Sequence, residues 1–405
     1  MAVLAALAIG SAAQAEDAKP VPTAPAAPPA AVAPVVPGPA AVAAPVAAPV
    51  AAPAAAPAAE PAKPAPKWYD ELSLNAFVST GYLQNLNDSK VNGLRVFDAN
   101  GNTFSVSVAE LVLQKPVAAA SDVGFRVDLD FGGVIPANSV YLSPGGKKDP
   151  IGLRQAFVSW IAPVGSGLRL DLGKMITLHG FEYIETFDNP NDNYSRSLLF
   201  NYSIPFTHTG LQLGYTFSPQ VKAVLQVVNG WDAGISQQDG KTVCGQLNVT
   251  PVDAVSFYAN YCAGSETVGG STATRHLFDV NGTVKVTPWL TLGVNGDYGL
   301  EKGTAAAGAD SAWFGAALYV KAEAASGLGL ALRGEYFKDR DGARAGLGPV
   351  AATEVTVTPY LKINTRLTVR LEGRVDIADS EVFAKWDGTT VKTQPTLALN
   401  TLFTY

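Results

Sequence analysis

The feature that most restricts the fold of this chain is a strict alternation of apolar and polar residues in short segments. In the stretch RLTVRLEGRVD (residues 366–376), leucine, valine and glycine alternate with threonine, arginine and acidic residues. Successive side chains of a strand point to opposite faces, so this pattern predicts a strand with one apolar and one charged face. In a soluble sandwich the apolar face would be the core, whereas in a membrane barrel it would meet lipid and the charged face would line a lumen. One strand alone does not distinguish these two arrangements.

The connections between such strands distinguish the soluble sandwich from the membrane barrel, because short and long connections alternate along the chain. The short ones are 116–122, 163–167, 218–220, 251–253, 287–289, 323–327 and 364–366. The long ones are polar and rich in Gly, Asp and Asn, and they are 85–102, 132–150, 176–204, 230–241, 263–272, 301–310, 338–350 and 378–394. Outer-membrane barrels have short periplasmic turns and long extracellular loops, and an even number of strands. Seven short and eight long connections predict about sixteen strands.

We therefore predict an all-β fold for residues 67–405, a transmembrane antiparallel up-and-down β-barrel of about sixteen strands. Side chains cannot fill so wide a lumen, so the polar faces should line water and the apolar faces should meet outer-membrane lipid. No apolar run in this region approaches the roughly 18 to 20 residues of a membrane helix. Aromatic residues fall near predicted strand ends, as an aromatic girdle requires; they are Tyr82, Tyr215, Phe217, Tyr336 and Tyr405.

The first 66 residues differ in composition from the rest. An apolar run ends in Ala-Gln-Ala at 13–15, which predicts a signal peptide over residues 1–15 even though no Lys or Arg precedes the run. Residues 16–66 are almost entirely Ala, Pro and Val, and recurrent proline prevents both helix and sheet hydrogen bonding. We expect a disordered Pro/Ala-rich linker in the periplasm. It either contacts the cell wall or is a tail without a partner.

Several classes of function are excluded by composition and motif. The net charge of −6 and the lack of a Lys/Arg cluster argue against nucleic-acid binding. Two cysteines and three histidines are too few and too scattered for a metal site, so no metal and no cofactor are expected. No G-x-S-x-G or H-E-x-x-H motif occurs, so no catalytic residue is predicted. We expect His208 to be a packed residue where a loop meets a strand, and the protein not to be an enzyme.

The longest loop, residues 180–210, carries a recognisable pattern. Its Gly180-Phe181-Glu182, the SRSLLF at 195–200 and the PFTHTG at 205–210 resemble the OmpL-like putative beta-barrel porin family of Gram-negative outer membranes, as does most of residues 67–405. The resemblance implies an outer-membrane porin, a water-filled channel for passive diffusion of ions and small polar solutes. General porins fold the loop after the fifth strand into the barrel. A homotrimer is also implied, although no sequence feature demonstrates one.

Two other functions stay open at this point. The linker and the barrel together could form a structural tether between the outer membrane and the cell wall. The long loops could instead belong to an outer-membrane barrel enzyme or adhesin. Large ohmic conductance steps would support the porin, and silence would support the tether.

If the longest loop enters the barrel, its charges meet those of the wall. The loop carries Glu182, Glu185, Asp188, Asp192 and Arg196. The predicted lumen wall carries Arg126, Asp128, Asp130, Arg333, Glu335, Arg370, Glu372, Arg374 and Asp376. Loop acids opposite wall arginines would impose a transverse field at a constriction. In the alternative, the loop charges lie in external water and the wall charges pair across strands. For Arg196 a different role is also open, in which it anchors the loop to the wall by a bidentate salt bridge instead of lining the constriction.

The two cysteines lie on strands joined by a short turn. If residues 252–254 form a three-residue loop closed by Pro251 against Val255, Cys244 lies directly opposite Cys262. Opposed residues in an antiparallel pair are close enough for a disulfide, and an exported protein meets an oxidising environment. We therefore predict a Cys244–Cys262 disulfide on the lumen side, towards the extracellular end of the hairpin. The alternative is a pair of free thiols.

Overall fold

The computed structural model describes residues 67, 69–132, 140–141, 151–236, 240–268 and 271–405. The predicted signal peptide and Pro/Ala-rich linker lie outside the described residues, so both stay predictions. None of the helices in the described part of the chain is long and apolar enough to cross a membrane.

Sixteen antiparallel strands form a closed barrel, as the alternating connections predict. Each strand pairs with its neighbours in sequence, and the first strand pairs with both the second and the last. The strands are β1 Ser73–Asn85, β2 Thr103–Lys115, β3 Val123–Phe131, β4 Ile151–Ala162, β5 Leu168–Ile176, β6 Thr207–Ser218, β7 Val221–Val228, β8 Thr242–Val252, β9 Val255–Val268, β10 Ser271–Thr287, β11 Leu290–Glu301, β12 Ser311–Glu323, β13 Leu328–Asp339, β14 Val350–Lys362, β15 Leu367–Ala378 and β16 Thr393–Thr404.

Four short elements lie in the long connections. A two-residue strand, Val140–Tyr141, pairs with β4, and a small hairpin joins Phe383–Ala384 to Thr390–Val391. A single π-helical turn spans Leu199–Ser203 and a 3₁₀ turn spans Ala306–Gly308. The π-helical turn contacts the barrel wall through β12 and β11.

The faces of β15 answer the question that its alternating sequence raises. Arg370 and Arg374 are each only 1% exposed, whereas Leu371 between them is 54% exposed on the barrel surface. The charged face is therefore inside and the apolar face outside. The same division holds around the barrel, since the exposed large apolar residues of the strands form its outer surface. A closed barrel with an apolar exterior is suited to lipid rather than to water.

One predicted loop is wrong. Residues 263–272 were expected to be a long polar loop, but β9 continues to Val268 and β10 begins at Ser271, and these two residues are paired. The stretch looks like a loop because Gly, Ser, Thr and Glu leave it without an apolar face. A strand that extends beyond the lipid needs no such face, since the outer apolar band of a barrel is only about 25 Å tall.

The turn between β8 and β9 also differs from expectation. Val252, not Pro251, pairs with Val255, and a bulge follows between Val255 and Phe257. The bulge sets two residues of β8 against one of β9, which restores the register that the longer loop was assumed to produce. From Phe257 onward the partners are the predicted ones, with Phe257 opposite Val249.

The interior is not lined by polar side chains alone. Three connections, residues 86–102, 177–206 and 379–392, bring apolar side chains inside the barrel, where they pack with residues of the wall. Members of this cluster include Phe97, Leu198, Leu199, Phe200, Trp313, Phe337 and Phe383. The expectation that the lumen holds only water is therefore wrong where this cluster lies, because the three connections fill that part of the lumen.

A charge introduced on the outer face should destabilise the barrel according to its depth. Leu371 lies in the middle of β15, so Leu371→Arg should cost about 2–4 kcal/mol in the free energy of unfolding, whereas Leu367→Arg at the strand end should cost about 0–1 kcal/mol. Guanidinium-induced unfolding in phospholipid vesicles measures both. Equal costs for the two variants would show that the outer face does not lie against lipid.

Candidate functional site

The connection between β5 and β6, residues 177–206, which we call the inner loop, lies inside the barrel and is held there through its backbone. The amides of Tyr194 and Ser195 donate to the Glu372 carboxylate, with the nearest contacts at 2.6 Å and 3.0 Å. The amides of Leu198 and Leu199 donate to Glu335. Because these amides have no strand partner, the two wall acids supply acceptors that buried N–H groups require. Glu335 and Glu372 therefore bind the loop rather than face open water.

Wall arginines bind the acids and carbonyls of the inner loop. Arg333 Nη1 lies 2.6 Å from Glu182 Oε1, and its Nε contacts Glu354. Arg370 Nη1 lies 2.9 Å from Glu185 Oε1. Burial alone would raise the pKa of Glu185, but the guanidiniums of Arg370 and Arg196 hold that pKa below its usual value. Both loop acids at this depth are thus directly paired with a wall arginine.

The other two loop acids also meet cations. Asp188 lies 2.6 Å from Arg126 Nη1, and Asp192 lies 2.6 Å from Lys321 Nζ. Arg126 also contacts Asp128 of its own strand. The Asp188 and Asp192 pairs are partly exposed, unlike those of Glu182 and Glu185. All four loop acids therefore contact a wall cation directly.

Arg196 does not bind the wall as its predicted salt bridge requires. Its Nη2 lies 3.2 Å from Glu185, which belongs to the same loop, and its Nε donates to the Tyr183 carbonyl. The direction of anchoring is reversed, because Arg374 of β15 donates to the Arg196 carbonyl at 2.5 Å. The predicted anchor is therefore wrong for Arg196, because its guanidinium pairs with Glu185 of the same loop and not with an acid of the wall.

Two further arginines, which the sequence did not single out, hold connections inside the barrel: Arg154 binds the inner loop, and Arg95 binds connection 86–102 to the wall. Arg154 of β4 pairs with Asp130 and Glu110, and its Nη1 donates to the Glu185 carbonyl at 2.6 Å. Arg95, from the connection 86–102, lies 2.6 Å from Asp376. Glu110 and Arg154 occupy inward positions that parity could have found. Nothing in the local sequence indicates that Arg95 returns into the barrel.

The two cysteines are joined by a disulfide, with Cα atoms 4.1 Å apart, and both side chains are buried inside the barrel. His179 and His208 lie beside it, and within the described ranges these histidines and Cys262 are the only group of such residues with ligand atoms close together. The sulfur of Cys262 is bonded to Cys244, so it offers no thiolate to a metal. His208 is fully buried, with Nδ1 3.3 Å from the Gly230 carbonyl.

The space that the inner loop leaves open lies on the opposite side of the barrel. A cavity of about 410 Å³ separates the loop from the wall between β4 and β10. A second cavity of about 290 Å³ adjoins it. Both are lined by the same four residues, Glu182, Tyr183, Tyr258 and Asn281. These four residues therefore lie where the two cavities adjoin.

Residues 71–405 match the family model described as "Putative beta-barrel porin-2, OmpL-like". The chain belongs to this family. The match covers the whole barrel, so a general outer-membrane porin role and an integral outer-membrane location follow from family and fold together. Among curated protein sequences, none matches this chain significantly.

Solved porin structures share the fold at low sequence identity. An anion-selective porin from Comamonas acidovorans has a TM-score of 0.56 at 10% identity, over 82% of this chain and 99% of that one. OmpF of Salmonella typhi, in complex with daunomycin, has a TM-score of 0.56 at 12% identity, over 84% and 99%. A trimer form of OmpT from Vibrio cholerae has a TM-score of 0.53 at 13% identity, over 82% and 99%. These likenesses establish the barrel architecture.

Removing one buried cation should release the inner loop. Arg333→Met leaves Glu182 and Glu354 without their guanidinium, so we expect a loss of about 3–5 kcal/mol in the free energy of unfolding. Arg340→Met removes an exposed pair with Asp341 and an exposed hydrogen bond to the Asp310 carbonyl, and should cost about 0–1 kcal/mol. Urea unfolding in detergent micelles compares the two. A cost for Arg333→Met no larger than that of the control would contradict the proposed attachment.

The disulfide gives a direct chemical test of the barrel register. Protein unfolded without reductant should contain no alkylatable thiol, and reduced protein should contain two, as read by intact mass. Breaking the bond should cost less than the roughly 3 kcal/mol of a loop of this size, because the strand ladder already holds the two strands together. Two alkylated cysteines without reduction would exclude the bond.

Proposed function

We propose that this barrel is a passive diffusion channel for ions and small polar solutes, and that the water path runs between the inner loop and the wall formed by β4 to β10. Solutes cross dissolved in water, and no covalent step is involved. The observation that carries the proposal is the pair of adjoining cavities beside a loop that is attached to the other side of the barrel. Membership of a porin family supports it.

The two buried loop acids differ in whether they line the proposed path. Glu182 lines both cavities, so it is the loop acid that we propose to face the path. Glu185 and Arg196 instead line a small enclosed space on the opposite side of the inner loop. Since Glu182 is paired with Arg333, the transverse field at the constriction is largely cancelled at its source. We therefore propose weak selection between anions and cations.

Two buried loop acids offer a matched test of this path. Glu182→Gln removes a negative charge from the cavity lining and leaves Arg333 less compensated, so the channel should shift towards anions. Glu185→Gln removes the same charge from a pair that does not face the cavities, so its shift should be much smaller. Reversal potentials in a KCl gradient across planar bilayers measure both. Equal shifts would place the path elsewhere, and absence of ohmic steps in the unmodified protein would exclude the channel.

Assembly and the role of the linker are proposals of the same kind. We propose a homotrimer, for which one solved neighbour described as a trimer form gives a precedent. We also propose that the Pro/Ala-rich linker lies in the periplasm and contacts the cell wall. Native mass in detergent tests the first proposal, and co-sedimentation of the full chain with purified cell wall, against a chain lacking residues 16–66, tests the second.

A further inference from the structure

We infer that the channel favours neutral polyhydroxylated solutes, of the size of a mono- or disaccharide, and that it recognises them at an aperture between Tyr183 of the inner loop and Tyr258 of β9. The inference rests on the proposed function, since it names the solute class of the same path. It comes from four features of that path: the two tyrosines that line both cavities, the fixed position of one of them, its amide lining and its compensated charges.

The aperture is defined by residues that line both cavities. Tyr183 comes from the inner loop, and Tyr258 and Asn281 come from neighbouring wall strands. In the proposed path, a solute that moves from one cavity to the other passes these side chains. Tyr183 is 44% exposed and Tyr258 is half-buried, so both rings are accessible from the lumen.

The loop side of the aperture is rigidly held. The Tyr183 amide donates to Asn191 Oδ1 at 2.9 Å, and its carbonyl accepts from Asn191 Nδ2 at 2.7 Å. On the wall side, Asn281 Nδ2 donates to the Gly180 carbonyl at 3.1 Å, and Gln246 Nε2 donates to the Leu178 carbonyl at 3.0 Å. Because the backbone on each side of the ring is fixed, Tyr183 presents a preorganised surface rather than a mobile one.

The path beside the aperture is lined by amides, and the charges that line it are paired. The amide side chains of the larger cavity are Gln155, Gln212, Gln246 and Asn281. The Oε1 of Gln246 and the Oδ1 of Asn281 accept no hydrogen bond from the described residues, which leaves two acceptors for a solute. The cations and acids that share this lining are compensated, because Arg169 Nε lies 2.9 Å from Asp171 and Glu182 is bound by Arg333.

This combination matches a sugar better than an ion. A hydroxyl both donates and accepts, as an amide side chain does, so vicinal hydroxyls can replace water contacts with amide contacts. The apolar face of a pyranose ring packs on an aromatic ring, whose own hydroxyl stays available for hydrogen bonding. A charged solute of similar size gains no uncompensated counter-charge here and still loses part of its hydration.

The test uses the full-length protein in planar bilayers and in liposomes. Maltose added to one side should reduce the single-channel ion current in a concentration-dependent way, and glucose should enter liposomes faster than gluconate, its singly charged analogue of similar size. Tyr258→Ala should raise the half-blocking maltose concentration about three- to tenfold, because one aromatic contact is lost. Tyr258→Phe should retain most of the block, which shows that the ring and not a general loss of folding is responsible.

Tyr261→Ala is the matched control, because Tyr261 lies on the same strand but on the outer face, where it is 39% exposed. Maltose should block Tyr261→Ala channels at the same concentration as channels of the unmodified protein. Ohmic channels that maltose does not block, or through which gluconate passes as fast as glucose, would overturn the solute class while leaving the channel intact. Equal effects of Tyr258→Ala and Tyr261→Ala would overturn the aperture. A protein that forms no channel at all would overturn the proposed function itself.

Discussion

The structure depends on one requirement, that a loop inside a barrel must find acceptors for its backbone amides without a neighbouring strand. Glu335 and Glu372 meet this requirement by accepting pairs of amides from the inner loop. Carboxylates buried for this purpose are costly unless cations lie beside them. Arg333 lies on β13 with Glu335, Arg370 and Arg374 lie on β15 with Glu372, and the three arginines also bind loop acids and carbonyls. The charged face of β15 therefore serves mainly to attach the inner loop.

That attachment explains why the lumen is asymmetric. Buried charges hold the loop at β13 to β15, whereas the larger cavity lies along β4 to β10, whose inward side chains include several amides. Wall glycines make the close approach of the loop possible, since a Cβ added at Gly293 would lie 2.4 Å from Cζ of Phe181. The two sets of residues overlap in part. Glu182, Gln246 and Asn281 line the larger cavity and also hold the loop, whereas Glu335, Glu372 and Arg370 hold the loop without lining that cavity.

Much of this could be predicted from the sequence because a strand has a period of two. Parity along β15 gives the correct inward face, and parity combined with a turn places Cys244 opposite Cys262 even though the turn itself was assigned one residue too long. Period-two reasoning does not reveal which side chains from distant loops meet that face. Arg95 reaches Asp376 from a connection more than two hundred residues away in sequence, and no local pattern encodes that contact. Polar strand ends such as 263–268 also lack the apolar face on which the reasoning relies.

The SRSLLF segment at 195–200, through which the chain resembles its family, has a definite structural role. Within SRSLLF, Ser195 and Leu198 present their amides to the two wall acids, and Leu199 and Phe200 pack into the apolar cluster beside Trp313. The segment therefore specifies where the inner loop is attached, not which solute passes it. Tyr183 lies outside the segment and lines both cavities. Because attachment residues carry the pattern, the resemblance to the family predicts the position of the loop inside the barrel, whereas the lining of the cavities follows only from the three-dimensional structure.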